Sequence, residues 1–253
     1  MSTTIYWGDP AARPALEEGE VHVWCAPLDP PEESVRRYRE LLATDELARV
    51  DRFRFDRDRR RSTVARGVLR MLLGRYLAES PRRVEFRYES HGKPVLAGGP
   101  ADRGVRFNVS HSGELALFAF TRGRELGVDV ELVHSIEDAE QIAERFFSAA
   151  ENAVFRSLPA ELREEAFFNC WTRKEAYIKA VGEGLSFPLH VFDVSLAPGE
   201  PARLLDSRDP EQAERWSLYG LPDPAPGYKA ALVVEGSGCE VACWRWEEPA
   251  VSE

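Results

Sequence analysis

The spacing of apolar residues along the chain changes several times between a period near two and a period near 3.6. After an irregular lead-in over residues 1–20, the short apolar run 21–25 predicts a strand. Residues 32–49 have a helical pattern, with Pro30 and Pro31 marking its start. The clearest helix covers 59–78, where Val64, Val68, Leu69, Leu72, Leu73, Tyr76 and Leu77 form one stripe and Pro81 ends it. Residues 84–88 alternate as a strand. The apolar runs 115–120 and 126–132 read as two strands joined by a hairpin turn at Thr121-Arg-Gly-Arg124. A helix follows over 136–147. Ser148 and Glu151 then have the spacing of a capping box, which predicts a new helix start. The helix over about 164–181 stops at Gly182 and Gly184. The remainder reads as antiparallel strands at 191–196, 216–219, 228–235 and 240–246, with a mobile loop over 198–210. The class is α+β, helices packed on small antiparallel sheets.

Composition narrows the function. The length allows one large domain or two small ones. A net charge of −10 argues against general nucleic-acid binding. No run is long enough to span a membrane, and the N-terminus lacks a basic segment followed by an apolar one, so a cytoplasmic protein is expected. Cys25, Cys170, Cys239 and Cys243 lack metal-ligand spacing and read as reduced, partly buried thiols. Positive charge is concentrated between Arg49 and Arg61. That segment is either a solvated helix face, its arginines paired to Asp51, Asp56 and Asp58, or a landing site for a phosphorylated ligand or an acidic partner.

The candidate chemistry lies in three motifs. In Gly127-Val-Asp129-Val-Glu131-Leu-Val, strand alternation puts Asp129 and Glu131 on one face. Two carboxylates inside an apolar run are costly unless a cation compensates them. In Trp171-Thr-Arg-Lys-Glu175-Ala-Tyr-Ile-Lys179, Glu175 and Lys179 share a helical face. Three carboxylates with open positions suit Mg²⁺, which keeps waters and takes phosphate oxygens. The plain alternatives are a solvated strand edge and a surface ion pair worth about 0.3–0.5 kcal/mol. Phe107-Asn-Val-Ser-His111-Ser-Gly113 offers Ser110, His111 and nearby amides to a phosphate, or is a turn with a capping serine. His91-Gly-Lys93-Pro-Val-Leu96 is a turn into a strand that carries a lysine. Glu151 is open to two readings, helix cap or catalytic group.

Gly92-Lys93-Pro94, Phe107 to Ser112, Gly127 to Glu131, Phe146-Phe-Ser-x-x-Glu151 and Trp171 to Leu185 occur in one order at compatible spacing. Together they resemble the signature set of the Sfp-type 4′-phosphopantetheinyl transferases. The resemblance implies a pseudo-dimer of two similar α/β halves with the ligand between them: an N-terminal half over 1–115, a C-terminal half over 116–246 and a tail over 247–253. It implies transfer of the phosphopantetheine arm of coenzyme A to a serine of an apo acyl or peptidyl carrier protein, with release of adenosine 3′,5′-bisphosphate. Mg²⁺, with Mn²⁺ as a substitute, would be held by Asp129, Glu131 and Glu175. Lys179 would help the leaving group, and Glu175 or Glu151 would be the base. Arg49, Arg61, Ser62, Lys93, Ser110 and His111 would contact coenzyme A. The family often has a lysine where Glu46 stands, so recognition of the 3′-phosphate would shift to a neighbouring arginine. The carrier protein would dock on apolar residues flanking Phe146 and the Trp171 helix. A monomer is expected, with no nucleic-acid or membrane partner. Another Mg²⁺-dependent phosphoryl-transfer enzyme and a non-catalytic carrier-binding module are the competing classes; the chain has no P-loop.

Overall fold

A computed structural model describes residues 5–9, 15–89, 92–98, 104–184, 187–207 and 210–249. His91 and Leu185 lie outside the described residues. In chain order the first elements are β1 (Trp7–Gly8), β2 (Glu20–Pro27), α1 (Glu32–Arg39), α2 (Thr44–Val50), α3 (Asp56–Leu77), β3 (Phe86–Tyr88) and β4 (Pro94–Leu96). The middle holds β5 (Val105–Ser112), β6 (Leu115–Arg122), β7 (Leu126–Leu132), α4 (Ala139–Phe146), α5 (Ala149–Ser157) and α6 (Ala160–Val181). The chain closes with β8 (Phe192–Val194), β9 (Leu204–Ser207), α7 (Pro210–Arg215), β10 (Trp216–Gly220), β11 (Tyr228–Glu235) and β12 (Glu240–Arg245). The α+β expectation holds. Among the described residues no helix is long and apolar enough to cross a membrane.

Two sheets organise the molecule. The first has strand order β1-β12-β2-β6-β5 and the second β10-β11-β7. α3 lays its predicted stripe on the first sheet, with Val68, Leu72 and Leu73 fully buried beside Trp24, Phe118 and Phe120. α6 packs on the second, burying Phe167, Ala176 and Ile178 with Ala231 and Val233.

Four expectations are corrected. The helix predicted over 32–49 is two helices. The Glu46 carboxylate takes the Ala43 amide at 2.8 Å, a donor that a continuous helix would give to the Arg39 carbonyl. β6 and β7 are not a hairpin: β6 is a central strand buried over residues 116–121 and paired to β2 and β5, which leaves β7 no edge. β7 pairs with β11 instead, so the chain passes between sheets around Gly123. β12 returns to the first sheet and runs parallel to β2, making that sheet mixed, and Trp246 is buried in the first core. Finally, the loop expected over 198–210 contains β9, paired to β8.

The sheets meet where β5 faces β7. Backbone pairing does not join them there. Asn108 accepts the Val128 amide (3.0 Å), Ser110 the Val130 amide (3.4 Å) and Ser112 the Leu132 amide (3.1 Å). Alternate side chains of one edge strand therefore satisfy alternate amides of the other.

Candidate active site

The predicted carboxylates and lysine gather at this seam. Asp129 and Glu131 project from the same side of β7, Asp129 almost wholly buried and Glu131 half-buried. α6 lies close enough to reach them because β7 has no side chain at Gly127: a Cβ there would stand 2.1 Å from the Ala176 carbonyl oxygen and 2.4 Å from the Ala180 amide nitrogen. That contact brings the Glu175–Lys179 face of α6 to the Asp129 row. Lys179 Nζ donates to Asp129 Oδ1 (2.6 Å) and to Ser110 Oγ (2.9 Å), and Ser110 Oγ donates to Asp129 Oδ1 (2.8 Å). Ser112 Oγ donates to Glu131 Oε2 (2.7 Å).

The electrostatics follow from crowding. Burial raises the Asp129 carboxyl, opposed by Lys179. Burial and then the Asp129 charge raise Glu131. Glu175 is pushed up to about 7 by burial first, then by Asp129 and Glu131, against the pull of Lys179. Among the described residues no three acidic, histidine or cysteine side chains close on a single point as a metal-ligand cluster, and the Lys179 ammonium is the cation that compensates Asp129. A divalent cation nevertheless fits the donor chemistry: Asp129 Oδ2 is buried with no hydrogen-bond partner among the described residues, and the donors are all oxygens.

Two recesses adjoin residues of the seam, Ser112 in one and Asn108 and Lys179 in the other, while Asp129, Glu131 and Glu175 line neither. One, of about 730 Å³, is lined by Phe53, Arg61, Ser62, His111, Ser112 and Tyr228 among others. Arg61 is fixed there by Asp29 (2.5 Å) and the Gly113 carbonyl (2.6 Å), while the His111 side chain is exposed. The other, of about 230 Å³, is lined by Gly92, Lys93, Pro94, Asn108 and Lys179 among others. Lys93 Nζ donates to the Lys179 carbonyl at 2.9 Å. A further cleft of about 710 Å³ beside β10 and β11 contains none of the predicted residues.

Two predicted residues stand elsewhere. Arg49 is exposed and stacks 3.5 Å over the Tyr88 ring, away from the Arg61 recess. Glu151 is enclosed on the α5–β8 side of α6. It accepts from the Ser148 amide (2.7 Å), the Val194 amide (2.7 Å) and Lys174 Nζ (2.8 Å), and Ser148 Oγ accepts from the Glu151 amide. The capping box is formed, and the carboxylate is fully engaged. Glu46 is likewise buried, bonded to Arg70 at 2.7 Å. Within the basic segment, Arg59 pairs with Asp56 and Arg57 with Asp58 as the solvated-face reading expects, while Asp51 pairs with Arg39 and Arg60 with Glu32. Sequence reasoning missed Gly127, Asn108, Ser112 and Lys174 as site-building residues. A glycine inside a strand pattern was the available signal for the first.

Comparison with known proteins places the chain in a family. Residues 125–233 match the model of the 4′-phosphopantetheinyl transferase superfamily, and residues 28–122 match that of the 4′-phosphopantetheinyl transferase N-terminal region. The chain is 43% identical over 231 residues to the 4′-phosphopantetheinyl transferase HetI of Nostoc sp., covering 91% of this chain and 94% of that protein. It is 28% identical to the 4′-phosphopantetheinyl transferase Sfp of Bacillus subtilis, covering 79% and 85%. A crystal structure of a holo-(acyl-carrier-protein) synthase from Bacillus anthracis in complex with coenzyme A (3′,5′-ADP) overlaps 45% of this chain and 96% of that chain, at 23% identity and a TM-score of 0.36. The seam between β5 and β7 thus lies in a transferase, and the chain belongs to the 4′-phosphopantetheinyl transferase superfamily.

Proposed function

We propose that this transferase moves the 4′-phosphopantetheine moiety of coenzyme A to a serine of an apo carrier protein at the β5–β7 seam, in a Mg²⁺-dependent reaction. The observation that carries the site is the meeting of Asp129 and Glu131 on β7 with Glu175 and Lys179 on α6, next to a buried Asp129 oxygen without a partner. Asp129, Glu131 and Glu175 are the residues that would hold Mg²⁺, which when bound neutralises pyrophosphate charge.

The remaining work falls to the chain's own groups. The carrier serine oxygen attacks the phosphorus that bears the pantetheine arm. A phosphodiester bond forms, the pyrophosphate P–O bond breaks, and adenosine 3′,5′-bisphosphate leaves with the electron pair. Glu175 receives the serine proton, directly or through a water, because it is half-buried at the seam whereas the Glu151 oxygens are committed to Lys174 and backbone amides. Glu151 is assigned to the scaffold. Lys179, partly exposed beside Asp129, supplies positive charge to the leaving phosphate. Arg61, Ser62 and His111 in the larger recess, with Lys93 in the smaller one, position coenzyme A; Ser110 holds Asp129 and Lys179 together. Arg49 is left as a peripheral contact. Phe146 and Trp171, edge to face at 5.8 Å, form an apolar surface one helical turn from Glu175 for the carrier protein. Both sides of the seam come from one chain, which supports action as a monomer.

Mass spectrometry of an apo carrier protein incubated with the enzyme, coenzyme A and Mg²⁺ tests the reading. The expected result is a gain of one phosphopantetheine that disappears with a chelator. No gain overturns the transfer; an undiminished gain under chelation overturns the metal assignment.

A further inference from the structure

Ser112 stands where the larger recess meets the carboxylate row. It lines that recess, and its hydroxyl donates to Glu131 Oε2 at 2.7 Å while accepting the Leu132 amide at 3.1 Å. One hydroxyl therefore satisfies a bond across the seam and fixes a carboxylate oxygen.

The two carboxylates on β7 are held differently. Asp129 is anchored by Ser110 and by the Lys179 ammonium. Glu131 has no ion pair among the described residues; the hydroxyl of Ser112 is what holds it. Its side chain is longer than that of Asp129, half-buried, and repelled by the Asp129 charge two residues away. An untethered glutamate in that position gains rotamer freedom and lowers its repulsion by swinging outward to water. The backbone bond is the lesser part of the serine's role: Leu132 is 36% exposed, so water can replace Ser112 at its amide.

We infer that Ser112 is a positioning residue, whose hydroxyl presents Glu131 to the metal and so sets the affinity of the site for a divalent cation. This rests on the reading of Asp129, Glu131 and Glu175 as the metal's ligands. Hydrogen-bonded partners of ligating carboxylates typically account for about 10–100-fold in metal affinity.

The test measures Mn²⁺ binding by electron paramagnetic resonance on the full chain with coenzyme A and no carrier protein, so that turnover plays no part. Ser112→Ala is expected to weaken Mn²⁺ about tenfold with an unchanged melting temperature. Ser112→Thr, which keeps the hydroxyl, restores affinity, and Ser112→Val, of the same shape without it, does not. In steady-state assays with a carrier protein, the half-saturating Mg²⁺ concentration of Ser112→Ala rises by the same factor while kcat at saturating Mg²⁺ is retained. Wild-type affinity in Ser112→Ala, or equal affinities of the Thr and Val variants, overturns the assignment. Failure of the wild-type protein to bind Mn²⁺ is a separate result, which overturns the metal reading on which this inference stands.

Discussion

The two halves of the molecule share a pair of helices built in the same way, and the proposed base and leaving-group cation stand on only one of those pairs. Each has a short helix whose third residue is a buried glutamate, Glu46 on α2 and Glu151 on α5. Each then has a 22-residue helix whose cation pairs with that glutamate: Arg70 on α3 and Lys174 on α6. The two cations occupy the same place in their helices, since 70 − 56 and 174 − 160 are both 14. Counting on from them, Met71 matches Glu175 and Arg75 matches Lys179. Met71 packs on the first core, and Arg75 lies over the Trp246 ring. A glutamate that caps a helix and anchors a cation is thus common to both halves. The proposed Glu175 and Lys179 stand one and five positions beyond the anchor of the second half.

Removing the anchor tests this most severely. Glu151→Gln leaves Lys174, which is wholly buried, without its counter-charge. Losing one partner of a buried pair costs about 3–5 kcal/mol, and Glu46→Gln should cost a similar amount through Arg70. Chemical denaturation should show both losses, with turnover per folded molecule retained. A Glu151→Gln protein of normal stability and greatly reduced turnover would break the equivalence and return Glu151 to the reaction.

The positions that differ should respond oppositely. Glu175→Gln should lower turnover on the order of 10²-fold, whereas Met71→Leu, a volume-conserving change at the matching position, leaves it unchanged. Comparable losses in the two variants would show that Glu175 has no special part in the reaction.

Helix contacts sharpen the comparison. A Cβ at Gly127 meets the α6 backbone, and a Cβ at Gly67 meets the Tyr38 side chain at 2.4 Å. Each Gly→Ala change should cost about 1–3 kcal/mol by overpacking. Gly127→Ala should also reduce turnover of the folded fraction, because α6 carries Glu175 and Lys179; Gly67→Ala should not. Equal activity in the two folded variants would count against the close approach of α6 as the placing contact.

The smallest effect concerns the caps. Ser148 forms both halves of its box, while Ala43, with a similar extended backbone, has no hydroxyl to return to α2. Ala43→Ser should stabilise by about 0.5–1 kcal/mol in thermal denaturation. No gain would mean that the two helix starts differ more than their dihedral angles suggest.

Much of this was legible in the residues. Asp129 and Glu131 on one strand face, Glu175 and Lys179 on one helix face, the α3 stripe and the Ser148–Glu151 box all follow from local periodicity, and local periodicity survives folding because it is fixed by backbone geometry. What the sequence could not determine were relations between distant segments. That β6 already has two partners, so that β7 must join β11, depends on strands about a hundred residues apart in the chain. The return of β12 to the first sheet, the fit of Gly127 against α6 and the use of Ser110 and Ser112 hydroxyls in place of backbone pairing are of the same kind. The two readings of Glu151 were balanced because a capping box has the same spacing whether or not its carboxylate is also reached by a cation. Lys174, 23 residues later in the sequence but 2.8 Å away in the fold, is the contact that supports the scaffold reading. Sequence spacing sets which face a side chain takes, and only tertiary packing sets what that face meets.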